Sequence, residues 1–166
     1  MHIFLTGEKR IGKTTAIKNY LEIAGLKADG FVTYWESGSE KGTCRTLYLA
    51  PFGADPVNDV RYPVVIDKGN GPVFNEETIK IFNTHGSRIL RDSGRYDLII
   101  MDELGFLETK APVFRHAVME RISGDIPVLG VIKGSKTEFL NDVRTHPKVE
   151  IRMVTVENRN TVLTDH

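Results

Sequence analysis

The chain has 166 residues, with 22 Lys or Arg balanced by 22 Asp or Glu, so its formal net charge is zero. That balance leaves no basic footprint for nucleic acid or an anionic membrane. The single cysteine, Cys44, excludes an internal disulfide and a thiolate zinc cage. The length suits one domain over residues 1–166. No apolar run nears the roughly 18 residues of a membrane helix, and the N-terminus lacks a signal peptide's build, so a cytoplasmic, soluble protein is expected.

Strand-like and helix-like segments alternate, which predicts an α/β fold with a mostly parallel sheet and helices on both faces. His2 to Thr6 is a short apolar strand. From Thr14 the period changes, with Ile17, Tyr20, Leu21 and Ala24 on one helical face and Gly25 as the stop. Gly30 to Trp35 and Cys44 to Ala50 read as strands, and the polar SGSEKG between them suggests a β-hairpin. Pro63 to Asp67 is a further strand. Asn75 caps a helix with Glu76 and Glu77 in its first turn, and Ile79, Phe82, Ile89 and Leu90 form its apolar face. Asp97 to Met101 is a continuous apolar run, as a central parallel strand requires. Phe114, Ala117, Val118 and Ile122 mark another helix, ended by Gly124, and Pro127 to Ile132 is the next buried strand. Ser135 with Glu138 has capping-box spacing before Phe139, Leu140 and Val143. Val149 to Val154 alternates apolar and charged residues, as a half-exposed strand does.

Between the first strand and the first helix lies GEKRIGKTT. Gly7, Gly12, Lys13 and Thr14 match the spacing G-x-x-x-x-G-K-[ST] in register. The glycines let successive backbone N–H groups point inward at phosphate oxygens. A lysine at position 13 reaches the β- and γ-phosphates, the Thr14 hydroxyl is placed for magnesium, and the helix adds its positive dipole end. Glu8, Lys9 and Arg10 occupy positions whose side chains project away from the phosphates.

A phosphate loop needs an acidic partner at the end of an apolar strand, and LIIMDELG provides one. Asp102 lies just past the buried run, where it can hold the metal, and Glu103 follows directly. A carboxylate beside a metal position is what a hydrolase uses to orient or deprotonate an attacking water.

Together, MHIFLTGEKRIGKTT, the DGFVT strand start, DLIIMDELG and the late TVENRN resemble the cancer-related nucleoside-triphosphatase family, small P-loop NTPases of the ThEP type. The resemblance runs through nearly the whole chain, and DELG and VENRN are its specific parts. It implies a RecA-like sheet and Mg2+-dependent hydrolysis of nucleoside triphosphates, ATP and GTP among them, with broad base tolerance and slow turnover. By position, the segment Gly7, Glu8, Lys9, Arg10, Ile11, Gly12, Lys13, Thr14 and Thr15 would cradle the phosphates. Thr14 and Asp102 would hold magnesium, Glu103 would position water, and Asn158 and Arg159 would lie near the base or sugar. The sequence departs from the family at Glu8, Lys9 and Arg10, where small residues and proline are usual. It departs again at Tyr34 and Trp35 and in the segment from Pro51 to Asp67.

Further residues bear on the choice between hydrolase, small nucleotide or nucleoside kinase, and nucleotide-dependent binding module. Lys133 ends a strand expected between those of Gly7 and Asp102, where a polar group can sense the γ-phosphate. Arg88, Arg91 and Arg95 could form a kinase-like lid, or simply a solvated helix end. Tyr34 and Trp35 could stack a base or pack along a strand. A nucleoside triphosphate is the expected partner, with no nucleic acid or membrane, and the chain is expected to be a monomer or weak oligomer.

Overall fold

The computed structural model describes residues 1–38, 44–92 and 96–164. Its strands are β1 (His2–Thr6), β2 (Ala28–Ser37), β3 (Arg45–Pro51), β4 (Tyr62–Asp67), β5 (Leu98–Leu104), β6 (Val128–Ile132) and β7 (Val149–Met153). They form one sheet in the order β4-β3-β2-β5-β6-β1-β7. The run from β2 to β7 is parallel throughout, while β3 and β4 add antiparallel strands at the other edge. All seven expected strands are therefore present, with ends shifted by a few residues. The strand ending at Lys133 does lie between those leading to Gly7 and Asp102. Strands β2 and β3 pair from Phe31 with Pro51 to Ser37 with Arg45, as a hairpin requires. The expected turn itself falls mainly on residues 39–43, outside the described residues.

Helices cover both faces unequally. Helix α1 (Lys13–Ala24) lies on one, where Ala16, Ile17 and Leu21 join Leu5, Ile100, Leu129 and Val131 in a core that the C-terminal Val162 and Leu163 complete. Its end follows the expectation: Gly25 takes a left-handed conformation (φ 64°), and its N–H caps the Leu21 carbonyl. On the other face lie α2 (Glu76–Ile81), α3 (Ser87–Asp92), α4 (Pro112–Ser123) and α5 (Glu138–Thr145). They bury Phe82, Leu90, Phe114, Val118, Ile122 and Phe139 against Phe4, Phe31, Ile99 and Met101. β5 is buried on both sides, which explains its unbroken apolar run. β7 is the half-exposed edge its alternation predicts.

The Asn75 cap is present, its side chain accepting from the Thr78 N–H at 3.0 Å. The helix it starts contains a π turn (Phe82–Gly86) between α2 and α3, which the apolar spacing did not indicate. The capping box at Ser135 is a correction. The N-cap is Thr137, whose Oγ1 accepts from Leu140 N–H at 3.3 Å, so Glu138 is the first helical residue rather than the third. Thr137 is extended (φ −122°, ψ 156°) and stands three residues before a free N–H, which is all the cap requires.

Candidate nucleotide site

The strand-to-helix junction carries the phosphate loop as the sequence places it. β1 ends at Thr6, Gly12 is the N-cap of α1 with φ 105°, and Gly7 has φ 142°. Gly7 is needed twice over. Few other residues adopt that φ, and a Cβ there would stand 2.6 Å from the Val154 carbonyl oxygen. That carbonyl is fixed because Val154 N–H bonds back to Thr6 O at 2.8 Å, so the loop is seated against the end of β7.

Lys13 turns into its own loop, and its Nζ donates to the carbonyls of Gly7 (2.9 Å) and Glu8 (2.6 Å). Its ammonium is thereby held over the cradle. Glu8, Lys9 and Arg10 are all exposed, as expected for side chains turned away from the phosphates, while Ile11 packs against the α1 core. Arg10 adopts φ 64°, the one positive φ at a non-glycine among the described residues. Thr15 is exposed in the first turn of α1.

Thr14 and Asp102 meet across the gap spanned by β6. The Thr14 hydroxyl donates to Asp102 Oδ2 at 2.7 Å. Asp102 is buried, and burial pushes its carboxyl up to about 6, against the lowering effect of the Thr14 hydrogen bond. These two oxygens line a cavity of about 480 Å³ together with Lys18, Thr33, Tyr34 and Phe52. Glu103 stands next along the chain but lines a different cavity. Its Oε1 pairs with Lys133 Nζ at 2.8 Å, and its backbone N–H donates to Thr33 Oγ1 at 3.3 Å. The structure thus brings the strand-end lysine to the second acid of the motif.

Arg159 reaches the loop: its Cδ lies 3.8 Å from where a Cβ on Gly12 would be. Asn158 is occupied otherwise. Its Oδ1 accepts from Thr155 N–H at 2.8 Å and its Nδ2 donates to Met153 O at 2.9 Å, which shapes the turn after β7. Arg88 donates to the Tyr62 hydroxyl at 3.1 Å, and Arg91 faces Glu120 at 3.9 Å. Neither lines either cavity just described, and Arg95 lies outside the described residues. Tyr34 packs against Tyr48, and Trp35 lies beneath the Arg45 guanidinium, 4.4 Å from the ring centre.

Three residues near the site had no sequence signal: Lys18, Thr33 and Glu108. Glu108 is the most unusual. It is 3 % exposed, its Oε2 accepts from Gly105 N–H at 2.8 Å, and burial pushes its carboxyl up to about 7. In the sequence it is one more acid at a helical turn, and only the fold reveals its burial.

A family model described as NTPase matches residues 2–165. Among curated proteins, the nucleoside-triphosphatase THEP1 of Methanocaldococcus jannaschii is 32% identical over 171 residues, covering 96% of this chain and 91% of that protein. The cancer-related nucleoside-triphosphatase homolog of Bos taurus is 31% identical over 185 residues, covering 98% and 92%. The crystal structure of THEP1 from Aquifex aeolicus shares the fold, with a TM-score of 0.70 at 21% identity over 98% of this chain and 94% of that one. The solution structure of a human cancer-related nucleoside triphosphatase gives 0.67 at 26% identity, over 96% and 91%. A phosphate loop seated between β1 and α1, an acidic strand end facing it, and a match over nearly every residue agree: the chain belongs to the NTPase family, among relatives named as nucleoside-triphosphatases.

Proposed function

We propose that residues 1–166 form a single unit that hydrolyses nucleoside triphosphates, ATP and GTP included, to diphosphate and phosphate with the aid of Mg2+. The observation that carries this reading is the 2.7 Å contact between Thr14 Oγ1 and Asp102 Oδ2 at the end of the phosphate loop. Among the described residues, Asp102 forms no ion pair, and its partner Thr14 is a neutral hydroxyl. A buried carboxylate beside a hydroxyl is an all-oxygen donor pair that fits a hard divalent cation, so Thr14 and Asp102 are the residues that would hold Mg2+. When bound, the ion supplies neutralising charge to the phosphate oxygens.

The protein's own groups do the rest. Backbone N–H groups of the loop, from Gly7 to Thr15, bind the phosphates, and the N-terminus of α1 adds its dipole. Lys13 exchanges the Gly7 and Glu8 carbonyls for β- and γ-phosphate oxygens and stabilises the charge that spreads over the γ-phosphoryl group. Glu103 orients the attacking water and takes its proton. Arg159, beside Gly12, faces the rest of the nucleotide. Broad base tolerance is consistent with the Asn158 amide being engaged with Thr155 and Met153, where it braces the turn rather than reading a base. Slow turnover is consistent with Glu103 being held by Lys133 at 2.8 Å, because the carboxylate must leave that contact to meet a water.

The test is phosphate release from a panel of nucleoside triphosphates, with and without Mg2+, by wild type, Lys13→Ala and Glu103→Gln. Loss of the lysine should slow release on the order of 10²–10³-fold, as for one preorganised donor. Loss of the base should cost roughly 10²–10⁴-fold. A Lys13→Ala protein that releases phosphate at the wild-type rate would refute the assignment.

A further inference from the structure

The cavity that Glu103 lines is distinct from the one at Thr14 and Asp102, and an attacking water needs only Glu103 from its lining. It measures about 260 Å³. That is just below the roughly 300–1,000 Å³ of pockets for drug-sized ligands, so it suits a ligand no larger than one ring system with substituents. Its apolar lining includes Trp35, Pro72, Phe74 and Phe106. Its polar lining is Thr33, Glu103, Glu108, Lys133 and Ser135. Phe74 and Phe106 are 46 % and 45 % exposed at its mouth, with ring centres 5.9 Å apart. Two adjacent exposed phenylalanines, their planes tilted by 55°, offer an aromatic surface against which a planar ring can pack.

The walls are built, not incidental. Arg45 lies over Trp35 and pairs with Asp67 at 3.0 Å. Asp67 Oδ1 in turn accepts from Gly69 N–H (2.9 Å) and Gly71 N–H (3.0 Å), bracing the turn that carries Pro72. On the opposite side, Gly105 N–H bonds to the buried Glu108, and a Cβ on Gly105 would lie 3.0 Å from Lys133 Cδ. Lys133 is half exposed, with Gly105 on one side of its stem and its ammonium on Glu103. Because this cation of the lining is paired with Glu103, and Glu108 adds a second acid, the polar lining favours hydroxyl groups over a phosphate.

We infer that this cavity is an acceptor site for a neutral nucleoside, whose hydroxyl competes with water for the γ-phosphoryl group. The inference rests on the proposed use of Glu103 as base at the phosphate loop. The ring packs against the exposed phenylalanines and the sugar hydroxyls turn toward Glu103. The acceptor oxygen bonds to the γ-phosphorus as the bond from that phosphorus to the β,γ-bridging oxygen breaks. The electron pair of the broken bond stays on the departing nucleoside diphosphate, and the hydroxyl proton goes to Glu103. The products are that diphosphate and a nucleoside monophosphate.

Trp35 is the chain's one tryptophan, so its fluorescence reports on this cavity directly. The full chain is titrated with adenosine, guanosine, cytidine and uridine, with excitation at the red edge where nucleosides do not absorb. In parallel, each nucleoside is incubated with γ-labelled ATP and the label is followed into nucleoside monophosphate and free phosphate. At least one nucleoside should quench Trp35 saturably and acquire label. Phe106→Ala and Phe74→Ala should each weaken that quenching about tenfold, as for loss of one base–aromatic stack, while phosphate release without acceptor stays at the wild-type rate. Phosphate release with no quenching by any nucleoside, or quenching with no label transfer, overturns the acceptor site and leaves the hydrolase reading standing. Absence of phosphate release from wild type would instead remove the hydrolase reading on which the inference rests.

Discussion

Glu108 gives the sharpest test of the electrostatics around the site. It is fully desolvated beside Gly105, and its folded-state value of about 7 stands above the ordinary 4.5. An acid with a raised folded pKa holds its proton in the native state over a pH range where the unfolded chain has released it. The native state therefore binds more protons between pH 4.5 and 7, and stability falls as pH rises through that window. The contribution is fully present below pH 4.5 and gone above 7. A gap of this size at 1.36 kcal/mol per pH unit amounts to about 3 kcal/mol. For a chain of this length, where each kcal/mol moves Tm by roughly 2–4 °C, the shift is roughly 6–12 °C. The perturbation is Glu108→Gln, whose amide oxygen can keep the bond from Gly105 N–H but which does not titrate. Thermal unfolding of both proteins by circular dichroism at pH 5 and pH 8 isolates the residue, because Asp102 titrates in both and cancels. Wild type should lose about 3 kcal/mol relative to the variant on going from the lower to the higher pH. Equal pH dependence of the two melting curves would refute the reasoning, since Glu108 would then titrate as it does in the unfolded chain.

Three further outcomes follow from the loop and its acidic partner. Gly7→Ala forces a side chain into a glycine-only φ and against the Val154 carbonyl; backbone strain of roughly 1–3 kcal/mol and a similar overpacking cost should lower the urea midpoint clearly. An unchanged midpoint would mean that β1 and β7 do not meet as described. Arg10→Gly relieves a left-handed φ of 64° that costs about 1–2 kcal/mol, partly offset by glycine's greater unfolded entropy, so Tm should rise slightly; a fall would show that the Arg10 side chain makes a contact worth more than the strain. For Asp102, the carboxyl raised to about 6 means that stability without metal falls as pH rises from 3.8 to 6. Added Mg2+ at neutral pH should restore Tm, and Asp102→Asn should abolish that response; an equal Mg2+ shift in the variant would place the metal elsewhere.

How much could be read in advance depended on whether the physics was local. The phosphate loop was legible because its glycines, lysine and threonine are contiguous, and a strand and a helix flank them by their own periodicity. The strand carrying Asp102 was legible because burial on both faces writes itself as an unbroken apolar run. Ser135 and Glu138 misled because the capping-box spacing is short enough to recur by chance, and Thr137, with an equally good side-chain oxygen, lies nearer the first helical N–H. The π turn over Phe82–Gly86 left no mark, since one extra residue per turn hardly disturbs an apolar face of four residues. Lys18 and Thr33 were invisible because they meet the Asp102–Glu103 motif across 70 or more residues, and Glu108 because its burial comes from the fold, which no spacing encodes.

The adjacency of Asp102 and Glu103 takes on a sharper meaning in three dimensions. In sequence they look like one acidic pair serving one ion. In the fold, Asp102 is joined to Thr14 beside the phosphate loop, and Glu103 is joined to Lys133 over an aromatic-walled cavity. Thr33 borders both cavities and holds the Glu103 N–H, so it is the shared wall between them. The dipeptide lies where the pairing of β5 with β6 shifts register, and it serves two compartments without a loop between them. For the proposed roles, a metal-holding carboxylate needs to be fixed and desolvated, and Asp102 is buried. The proposed base needs access to a nucleophile, and Glu103 is half-buried, paired with the half-exposed Lys133. In the proposed reaction, the cavity at Glu103 decides whether water alone, or a hydroxyl delivered on a ring, reaches the γ-phosphoryl group first.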